Sequence, residues 1–325
     1  MTKTAIITGI TGQDGAYLSE LLLKKNYQVV GVLRSYVSDS FPKLEYLKIK
    51  NKIQFEEIDL LDLSQCISLI TKYQPQEIYN LSAQSSVSLS FSQPIGTLSY
   101  NTNSVLNILE SVRIVNRNVR FYQASSSEMF GNVKRLPIHI NDSLNPISPY
   151  AISKATAHYI TNLYRDSYGI FAVAGILFNH DSYLRSENFF IKKLIASCVR
   201  IKYGRQSKLI LGDLNVKRDF GYAKEYVEAM WAMLQNESPV NYMICTGKSL
   251  YLYDIVDYVM QKLEIPNSCL EINRSNFRPN EIIEIYGDNT ASSKDLNWKC
   301  TTDFYQVLDW LIEEEDVNQK KGLDV

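Results

Sequence analysis

The sequence lacks an excess of charge of either sign and lacks long apolar runs. Its 325 residues carry 34 basic and 35 acidic side chains, a formal net charge of −1. Nucleic-acid binders usually carry a basic excess and membrane anchors a basic cluster, so we expect neither nucleic acid nor membrane as a partner. No apolar run approaches the ~18 residues of a spanning helix. A composition of 45% hydrophobic and 21% charged residues indicates a compact globular protein.

Paired cysteines are absent as well. The five cysteines are scattered and include no CxxC motif, so neither a zinc knuckle nor a secreted disulfide framework is indicated. The three histidines are too far apart in the sequence to suggest a metal site. No charged and apolar leader precedes the first strand-like segment, and we therefore expect a reducing cytoplasm as the compartment.

What the first half of the chain does show is a regular alternation of short apolar runs and longer amphipathic ones. Strands are predicted at residues 4–8, 28–33, 53–58, 77–81 and 120–124. Helices are predicted at 15–25, near 62–73 and 103–115, and from about 148 to 168, before an apolar run at 171–178. This alternation predicts an α/β fold, a Rossmann-type doubly wound parallel sheet with fully buried strands.

Three glycines lie between the first predicted strand and the first predicted helix. Glycine permits a sharp turn and the close approach of a pyrophosphate to N–H groups at a helix N-terminus. The GxxGxxG spacing also occurs in ordinary tight turns, but its place at the first strand–helix junction favours a dinucleotide site. The residues predicted to bind the cofactor here are Gly9, Thr11, Gly12, Gln13, Asp14 and Gly15.

The end of the second predicted strand favours NADP over NAD. An NAD site has Asp or Glu about 20 residues after the glycines, whereas this strand ends with Arg34 and Ser35. A guanidinium and a hydroxyl suit a 2′-phosphate, and an exposed surface arginine is the alternative interpretation. Asp59, which closes the third strand, could accept a hydrogen bond from the adenine amino group or simply cap the next helix.

The second half of the chain is less regular. Helical patterns recur at 189–203, 222–236 and 251–263, but strands shorten and loops lengthen. We predict an NADP-binding Rossmann domain over residues 1–180, with returning elements from about 211–236, and a smaller substrate-binding domain over 181–325. The charged segment 313–325 is predicted to be a frayed, solvated terminus.

A phenol and an ammonium group lie four residues apart at Tyr150 and Lys154, and hence on one helix face. A nearby positive charge favours the phenolate, so Lys154 could make Tyr150 a usable base. The same spacing occurs at Tyr46–Lys50 and Tyr258–Lys262. Context favours the first pair, since Pro149 precedes it and a hydroxyl-rich strand end lies upstream.

That strand end contains Ser126 and Glu128. Polar side chains at the carboxyl end of a parallel strand point into the crevice where ligands bind. Ser126 could therefore hydrogen-bond a reacting hydroxyl, and Glu128 adds a second acid/base group that a simple alcohol oxidation does not require. The alternative is a helix-capping serine cluster with a surface glutamate.

Together these segments resemble the extended short-chain dehydrogenase/reductase superfamily and, within it, the GDP-mannose 4,6-dehydratases. The resemblance covers roughly residues 3–300. The segments that carry it are GITGQDGAYLSELLL (9–23), YNLSAQSSVSLSF (79–91), YQASSSEMFG (122–131), SPYAISKA (148–155), GILFNH (175–180), LGDLNVKRDFGYAKEYV (211–227) and NFRPNEI (276–282). The first and fourth segments are superfamily-wide. The Ser-Glu pair of the third segment and the GILFNH and RDFGYAKEYV runs are much more particular to the dehydratases.

The resemblance implies NADP-dependent 4,6-dehydration of a GDP-activated sugar: C4 oxidation, C5/C6 water elimination and hydride return to C6. The catalytic residues it implies are Ser126, Glu128, Tyr150 and Lys154. Further cofactor contacts are implied for Leu60, Leu81 and Ala83, besides Tyr150 and Lys154. The substrate-binding residues it implies are Ser85, Asn179, His180, Lys193, Arg218, Arg278 and Glu281. A homodimer or homotetramer is also implied.

Some positions depart from the family's usual pattern. Ser126 replaces the usual Thr and keeps the hydroxyl, and Ser86 stands where a His is common. The stretch 181–186 and the loop after Arg34 also differ. These loops lie near the sugar and near a subunit contact in the family, so both GDP-mannose and the longer GDP-manno-heptose remain candidate substrates.

Two other functions are compatible with parts of the pattern. A nucleotide-sugar epimerase or 4-keto reductase of the same superfamily needs only the hydroxyl, the tyrosine and the lysine. A non-catalytic NADP-binding regulator would be expected to lose Tyr150 or Lys154, and both are present. Glu128 is the residue that distinguishes dehydration from the first alternative.

Overall fold

The computed structural model describes residues 2–35 and 41–321. The strands are β1 Thr4–Thr8, β2 Gln28–Leu33, β3 Gln54–Glu57, β4 Glu77–Asn80, β5 Arg120–Ser126, β6 Ala172–Leu177, β7 Asn179–Asp181, β8 Leu209–Leu211, β9 Lys217–Arg218, β10 Phe220–Tyr222, β11 Tyr242–Ile244, β12 Leu250–Tyr251, β13 Leu270–Ile272 and β14 Glu284–Ile285. The helices are α1 Gln13–Lys24, α2 Pro42–Tyr46, α3 Leu63–Tyr73, α4 Val87–Ser92, α5 Pro94–Val115, α6 Pro149–Tyr168, α7 Phe190–Lys202, α8 Ala223–Met233, α9 Leu252–Lys262, α10 Thr290–Asp295 and α11 Phe304–Lys321.

The central sheet has seven strands in the order β11-β6-β5-β4-β1-β2-β3, and every pairing in it is parallel. The chain runs outward from β1 in one direction through β2 and β3 and then in the other from β4 to β6. This reversal opens a crevice at the carboxyl ends of β1 and β4, where ligands of doubly wound folds bind. The predicted fold class is confirmed.

Alternate residues of the sheet strands pack against helices on opposite faces, as the period-2 geometry of a strand requires. In β1, Ile7 belongs to the apolar cluster that contains α1 and α8, whereas Ile6 belongs to the cluster with α3, α5 and α6. Helices cover both faces of the sheet, which is the usual arrangement for parallel strands. In the described ranges, no helix is both long and apolar enough to cross a membrane.

A separate apolar cluster forms in the second half of the chain. It combines α7, α9 and α11 with residues of β8 and β10. Helix α8 does not belong to it, because Tyr226, Met230 and Met233 pack in the cluster of α1. The return of this helix to the sheet is in line with the expected returning elements, and the domain boundary at residue 180 stays a prediction.

The C-terminal segment differs from its predicted frayed state. Helix α11 continues from Phe304 to Lys321, and Leu308, Leu311 and Ile312 pack into the second cluster. The charges that suggested a solvated tail include a buried one: the Lys192 ammonium lies 2.7 Å from the Glu315 carboxylate, with side chains only 4% and 8% exposed. The charge-rich composition concealed a docked amphipathic helix.

Three other predictions need correction. Helix α5 begins at Pro94 rather than near residue 103. Proline suits the first helical turn because an N–H group there has no partner within the helix, so its absence costs nothing. Strand β3 is an edge strand whose end residues, Gln54 and Glu57, are exposed, so the sheet strands are not all fully buried. Strand β11 pairs with β6 and was not predicted, since its three residues give too short a pattern.

Glu315→Gln should destabilise the fold, because it leaves the Lys192 ammonium buried without a counter-charge. We expect a loss of about 3–5 kcal/mol in the free energy of unfolding, measured by urea titration. Glu313→Gln is the matched control, since Glu313 is exposed on the same helix. Equal, small effects of both variants would show that the buried pair does not hold α11 in place.

Candidate active site

A cleft of about 840 Å³ opens at the carboxyl end of the central sheet. Its walls come from the ends of β4, β5 and β6, the first turns of α1 and α6, and the loop 275–281. The catalytic candidates that line it are Ser126, Glu128, Tyr150 and Lys154. The substrate-binding candidates that line it are Ser85, Asn179, His180, Lys193, Arg218, Arg278 and Glu281. The fold thus brings both predicted sets to one cleft, and their individual roles stay predictions.

The glycine-rich turn joins β1 to α1 and is tightly packed. Gly9 has a φ of 69°, and an added Cβ there would lie 2.9 Å from the Leu81 carbonyl carbon. A Cβ on Gly15 would lie 2.4 Å from the Gly9 carbonyl oxygen. Gly12 is the N-cap residue of α1, and no side chain caps the helix. The first-turn N–H groups therefore suit an anionic ligand, as a dinucleotide pyrophosphate requires.

The remaining cofactor candidates occupy different surroundings. Leu81 and Ala83 line the cleft, as does Asp14. Arg34 is exposed just beyond β2, and residues 36–40 lie outside the described residues. The Leu60 side chain is buried among α3 and α5, so only its backbone could reach a ligand.

Asp59 does not cap the next helix, which was one of its two predicted roles. Its carboxylate accepts the Leu61 N–H at 3.0 Å, within the turn after β3. The N-cap of α3 is Asp62, which accepts from the Ser64 and Gln65 N–H groups. Asp59 is exposed at the strand end, where adenine contact stays a prediction.

Tyr150 and Lys154 lie on the first turns of α6, facing the cleft. Ser148 caps this helix by accepting the Ala151 N–H at 3.1 Å, and Pro149 occupies its first position. The Lys154 ammonium donates to the Ala124 carbonyl oxygen at 2.8 Å and lies 5.8 Å from the centre of the Tyr150 ring. The helix start therefore places both groups beside the end of β5.

Burial shifts the pKa values of both members of this pair. Burial raises the pKa of Tyr150 to about 12, although its hydrogen bond with Ser126 lowers it. Burial also lowers the pKa of Lys154 to about 8, against the opposing effect of the Asp14 charge. The structure therefore does not show the lowered tyrosine pKa that the lysine charge predicts, because both groups lose solvation in the cleft.

The two other pairs with the same spacing lie away from the cleft. Tyr46 hydrogen-bonds Glu314 at 2.8 Å, and Tyr258 hydrogen-bonds Asp309 at 2.7 Å. Their lysines are bound by carboxylates of the surface. Both matches are accidents of a chain with 22 tyrosines, as context predicted.

Ser126 ends β5, and a short 3₁₀ turn, Ser127–Phe130, places Glu128 beside it. The Glu128 N–H donates to the Ser126 hydroxyl oxygen at 3.3 Å, so the predicted capping role is present too. The glutamate is not a surface residue, since its side chain is 14% exposed inside the cleft. Serine capping and a cleft position of the carboxylate therefore occur together.

Two arginines and two carboxylates alternate along one wall of the cleft. Arg218 donates to Glu281 at 2.6 Å, Arg278 donates to the same carboxylate at 3.1 Å, and Arg278 reaches Glu128 at 3.5 Å. Burial lowers the pKa of Arg218, against the effects of both glutamates. The chain of charges is neutral overall, and its two planar donors suit a diphosphate.

His180 lies on β7 with both ring nitrogens engaged. Nδ1 lies 2.7 Å from the Phe178 carbonyl oxygen, and Nε2 lies 2.9 Å from the Asp14 carboxylate. The resemblance placed this histidine with the sugar or its phosphates. In the structure it faces the first turn of α1, and both nitrogens already have protein partners.

Sequence reasoning missed several residues that line the cleft, including Arg185, Asn188 and Phe277. Arg185 lies in the stretch that departs from the family's pattern, so no motif identified it. Its Cζ atom lies 3.6 Å from the centre of the Phe189 ring, and its Nε atom lies 3.6 Å from the Asp181 carboxylate. Among the described residues, no group of three or more His, Cys, Asp or Glu side chains could hold a metal ion.

Comparison with known proteins gives the same picture as the site. A family model described as GDP-mannose 4,6 dehydratase matches residues 6–310. GDP-mannose 4,6 dehydratase 2 of Arabidopsis thaliana is 40% identical over 324 residues, covering 96% of this chain and 87% of that protein. GDP-mannose 4,6 dehydratase of Homo sapiens is 35% identical over 333 residues, covering 94% and 89% respectively.

Solved structures share the fold at lower identity. DesIV, a dTDP-glucose 4,6-dehydratase from Streptomyces venezuelae with NAD and TYD bound, matches with a TM-score of 0.88 at 17% identity and covers 98% of this chain and 98% of that one. RMD from Pseudomonas aeruginosa, complexed with NADPH, matches with a TM-score of 0.79 at 22% identity and covers 98% and 99%. Since the family model matches residues 6–310 and a curated relative is 40% identical over 96% of this chain, the chain belongs to the GDP-mannose 4,6-dehydratase family.

Proposed function

We propose that the protein removes one water molecule from a GDP-activated sugar, giving the 4-keto-6-deoxy product. The observation that carries this proposal is the presence of two proton-transfer groups, Tyr150 and Glu128, in the same cleft as a pair of arginines. Oxidation of one hydroxyl needs a single base, whereas dehydration needs a second group to remove one proton and return another. The family of the chain supports the same conclusion.

The resident cofactor in this proposal is NADP. The uncapped N-terminus of α1 suits its pyrophosphate, and Arg34 at the end of β2 suits a 2′-phosphate. The nicotinamide supplies a hydride acceptor for C4 and a hydride donor for C6. Release of the bound dinucleotide from denatured protein, followed by mass measurement, tests the assignment against NAD.

Tyr150 and Lys154 serve the oxidation at C4. The phenol oxygen of Tyr150 takes the proton of the C4 hydroxyl, and Ser126 holds that hydroxyl by a hydrogen bond. Because burial holds the pKa of Tyr150 at about 12, the proton transfer needs the positive charge of Lys154 close to the developing phenolate. Lys154 lies on the same helix face, with its ammonium 5.8 Å from the centre of the Tyr150 ring, and can supply that charge.

Glu128 serves the elimination. Once C4 is a ketone, the proton on C5 becomes acidic, and the Glu128 carboxylate removes it. The same group, now protonated, gives the proton to the departing C6 hydroxyl, which leaves as water. Glu128 thereby returns to its starting state. Hydride return to C6 also needs a proton at C5, and Tyr150 supplies the one it took from the C4 hydroxyl, so both residues end the sequence as they began.

The nucleotide end of the substrate is assigned to the wall that contains Arg218 and Arg278. Lys193 and Asn179 line the same cleft and complete the polar surroundings of a diphosphate. GDP-mannose is the substrate that the family favours, and GDP-manno-heptose differs by one more carbon beyond C6. The small side chains of Ser85 and Ser86 in the cleft leave both sugars as candidates.

Incubation with GDP-mannose, or with GDP-manno-heptose, should yield a product lighter by one water molecule, detected by mass spectrometry. The cofactor-loaded protein is used, and no external oxidant or reductant is needed because the hydride is returned. If neither sugar loses water, the proposed reaction is wrong.

The matched variant for this experiment is Glu128→Gln, which keeps the size of the side chain. We expect water loss to fall by at least about 10²-fold, the lower range for removal of a general acid/base, with GDP-sugar binding near normal. An active variant would favour an epimerase or a 4-keto reductase. Lost binding would show that Glu128 has a structural role.

Lys154→Met should abolish turnover but stabilise the fold at pH 7. Because burial lowers the pKa of Lys154 from 10.5 to about 8, folding disfavours the charged form below pH 8. That cost disappears as the pH rises towards 10.5, so the gain of the variant over the wild type should shrink over this range. At pH 7 we expect the free energy of unfolding of the variant to exceed that of the wild type by roughly 1–3 kcal/mol, measured by urea titration. A loss of stability that does not depend on pH would contradict the proposed charge burial.

We further propose that two copies of the chain associate through α5 and α6. These neighbouring helices expose large apolar side chains, which monomeric proteins rarely group together. On α6, Ile152, Tyr159 and Leu163 recur at the spacing of one helix face. The exposed residues are Ile95, Leu106, Ile114, Ile152, Tyr159, Leu163 and Tyr168.

Leu163→Glu should shift the protein towards monomers in sedimentation velocity, because a buried unpaired carboxylate opposes association. Val240→Glu is the control, since Val240 is also exposed but lies outside these helices. An unchanged sedimentation coefficient for both variants, or a wild-type protein that is already monomeric, would contradict the proposed interface.

A further inference from the structure

A buried ion pair joins the cofactor helix to the segment that follows the last long strand of the sheet. The Nε2 atom of His180 lies 2.9 Å from Oδ2 of Asp14, with side chains only 9% and 20% exposed. Asp14 belongs to the first turn of α1, and His180 belongs to β7, 166 positions along the chain. The pair lies at the point where the proposed pyrophosphate site meets the proposed sugar site.

The hydrogen bonds of His180 define its charge. Nδ1 faces the Phe178 carbonyl oxygen at 2.7 Å, and Nε2 faces a carboxylate oxygen. Both partners are acceptors only, so both ring nitrogens must carry a proton, and the ring is an imidazolium. Burial is the largest effect on the pKa of His180 and lowers it, but the charge of Asp14 and the hydrogen bonds to Asp14 and Phe178 together outweigh burial, so the pKa is raised.

The Asp14 carboxylate is turned away from its own helix. A first-turn aspartate commonly binds the free N–H groups of its helix, but here no side chain caps α1. Oδ2 is bound by His180, and Oδ1 accepts from the Gln13 amide at 3.1 Å. Burial raises the pKa of Asp14, yet the charge and hydrogen bond of His180 bring it to about 2, so the carboxylate is ionised.

Further contacts fix the pair in position. The Gln13 amide also donates to the His180 carbonyl oxygen at 3.2 Å, and Ser182 donates to the Gln13 side-chain oxygen at 2.7 Å. The imidazole stacks on the ring of Tyr226, with centroids 4.5 Å apart and planes at 22°. A cation on an aromatic face is favourable, which suits a protonated histidine.

The neighbouring charges do not replace this pairing. Arg185 and Asp181 face the same region, and the arginine Nε lies 3.6 Å from the aspartate carboxylate. Neither of these two atoms has a hydrogen-bond partner. The positive charge of Arg185 contributes to the low pKa of Asp14, after the larger effects of burial and of His180. His180 is the group in direct contact with the Asp14 carboxylate.

We propose that His180 is a positioning residue for the cofactor site: it holds the Asp14 carboxylate off the N-terminus of α1 and cancels its charge there. An unpaired carboxylate at this position would compete with a phosphate for the same N–H groups and repel it. The inference rests on the proposed cofactor site, not on the identity of the sugar. It assigns His180 an action through Asp14 rather than a contact with the substrate.

The test is a double-mutant cycle on cofactor binding. Protein stripped of its cofactor is titrated with NADP⁺ by calorimetry, so no turnover is involved. We expect His180→Gln to weaken NADP⁺ binding at least tenfold, because the Asp14 carboxylate is left charged and without its histidine partner. In the Asp14→Asn background the carboxylate charge is gone, so adding His180→Gln there should change the NADP⁺ affinity by less than threefold.

Three outcomes overturn the proposal. If His180→Gln lowers the NADP⁺ affinity as much in the Asp14→Asn background as in the wild type, the ring contacts the cofactor itself or only supports packing. Unchanged NADP⁺ affinity in His180→Gln would mean that Asp14 does not oppose the phosphate. Nitrogen-15 shifts of a neutral ring in the stripped protein near pH 7 would contradict the imidazolium.

The chain offers a matched control in a second histidine–aspartate pair. His139 lies 3.1 Å from Asp288 on the surface, far more exposed than the buried pair. His139→Gln should leave NADP⁺ affinity unchanged. Thermal unfolding of every variant verifies folding, and a wild type that binds no NADP⁺ would contradict the proposed cofactor rather than the role of His180.

Discussion

The structure depends on one geometric constraint, namely that the carboxyl ends of parallel strands meet at the same edge of a sheet. Gly9 follows β1, Leu81 follows β4, Ser126 ends β5 and Asn179 follows β6, although these residues are far apart in the sequence. The reversal of strand order between β1 and β4 opens the crevice that they share. The glycine turn, the groups proposed for proton transfer and the arginines proposed for the diphosphate are therefore neighbours by virtue of topology.

The second organising feature is the pairing of charge within this cleft. The net charge of −1 conceals buried ions, each placed against a partner: Asp14 against His180, and Arg218 against Glu281. Lys154 donates to a carbonyl oxygen rather than to a carboxylate, and burial of its charge lowers its pKa. Such pairing offsets much of the desolvation penalty that burial of these ions costs.

Periodicity predicted the long elements well because burial on a sheet face or a helix face repeats along the sequence. It failed where charge or shortness concealed burial. Helix α11 is rich in carboxylates, yet Glu315 is buried against Lys192, which no local pattern can show. Strand β11 has three residues, and β3 lies at an edge with exposed ends, so neither followed the expected pattern.

The sequence by itself determined the order of the main strands and helices in the first half of the chain, the glycine turn, and the chemical groups available, because these follow from local residue types and spacing. Only the tertiary structure decided which groups meet. It separated Tyr150 from the two other tyrosines with the same spacing, and it placed His180 in contact with Asp14. It also set the direction of the Tyr150 pKa, because burial is a property of the folded cleft.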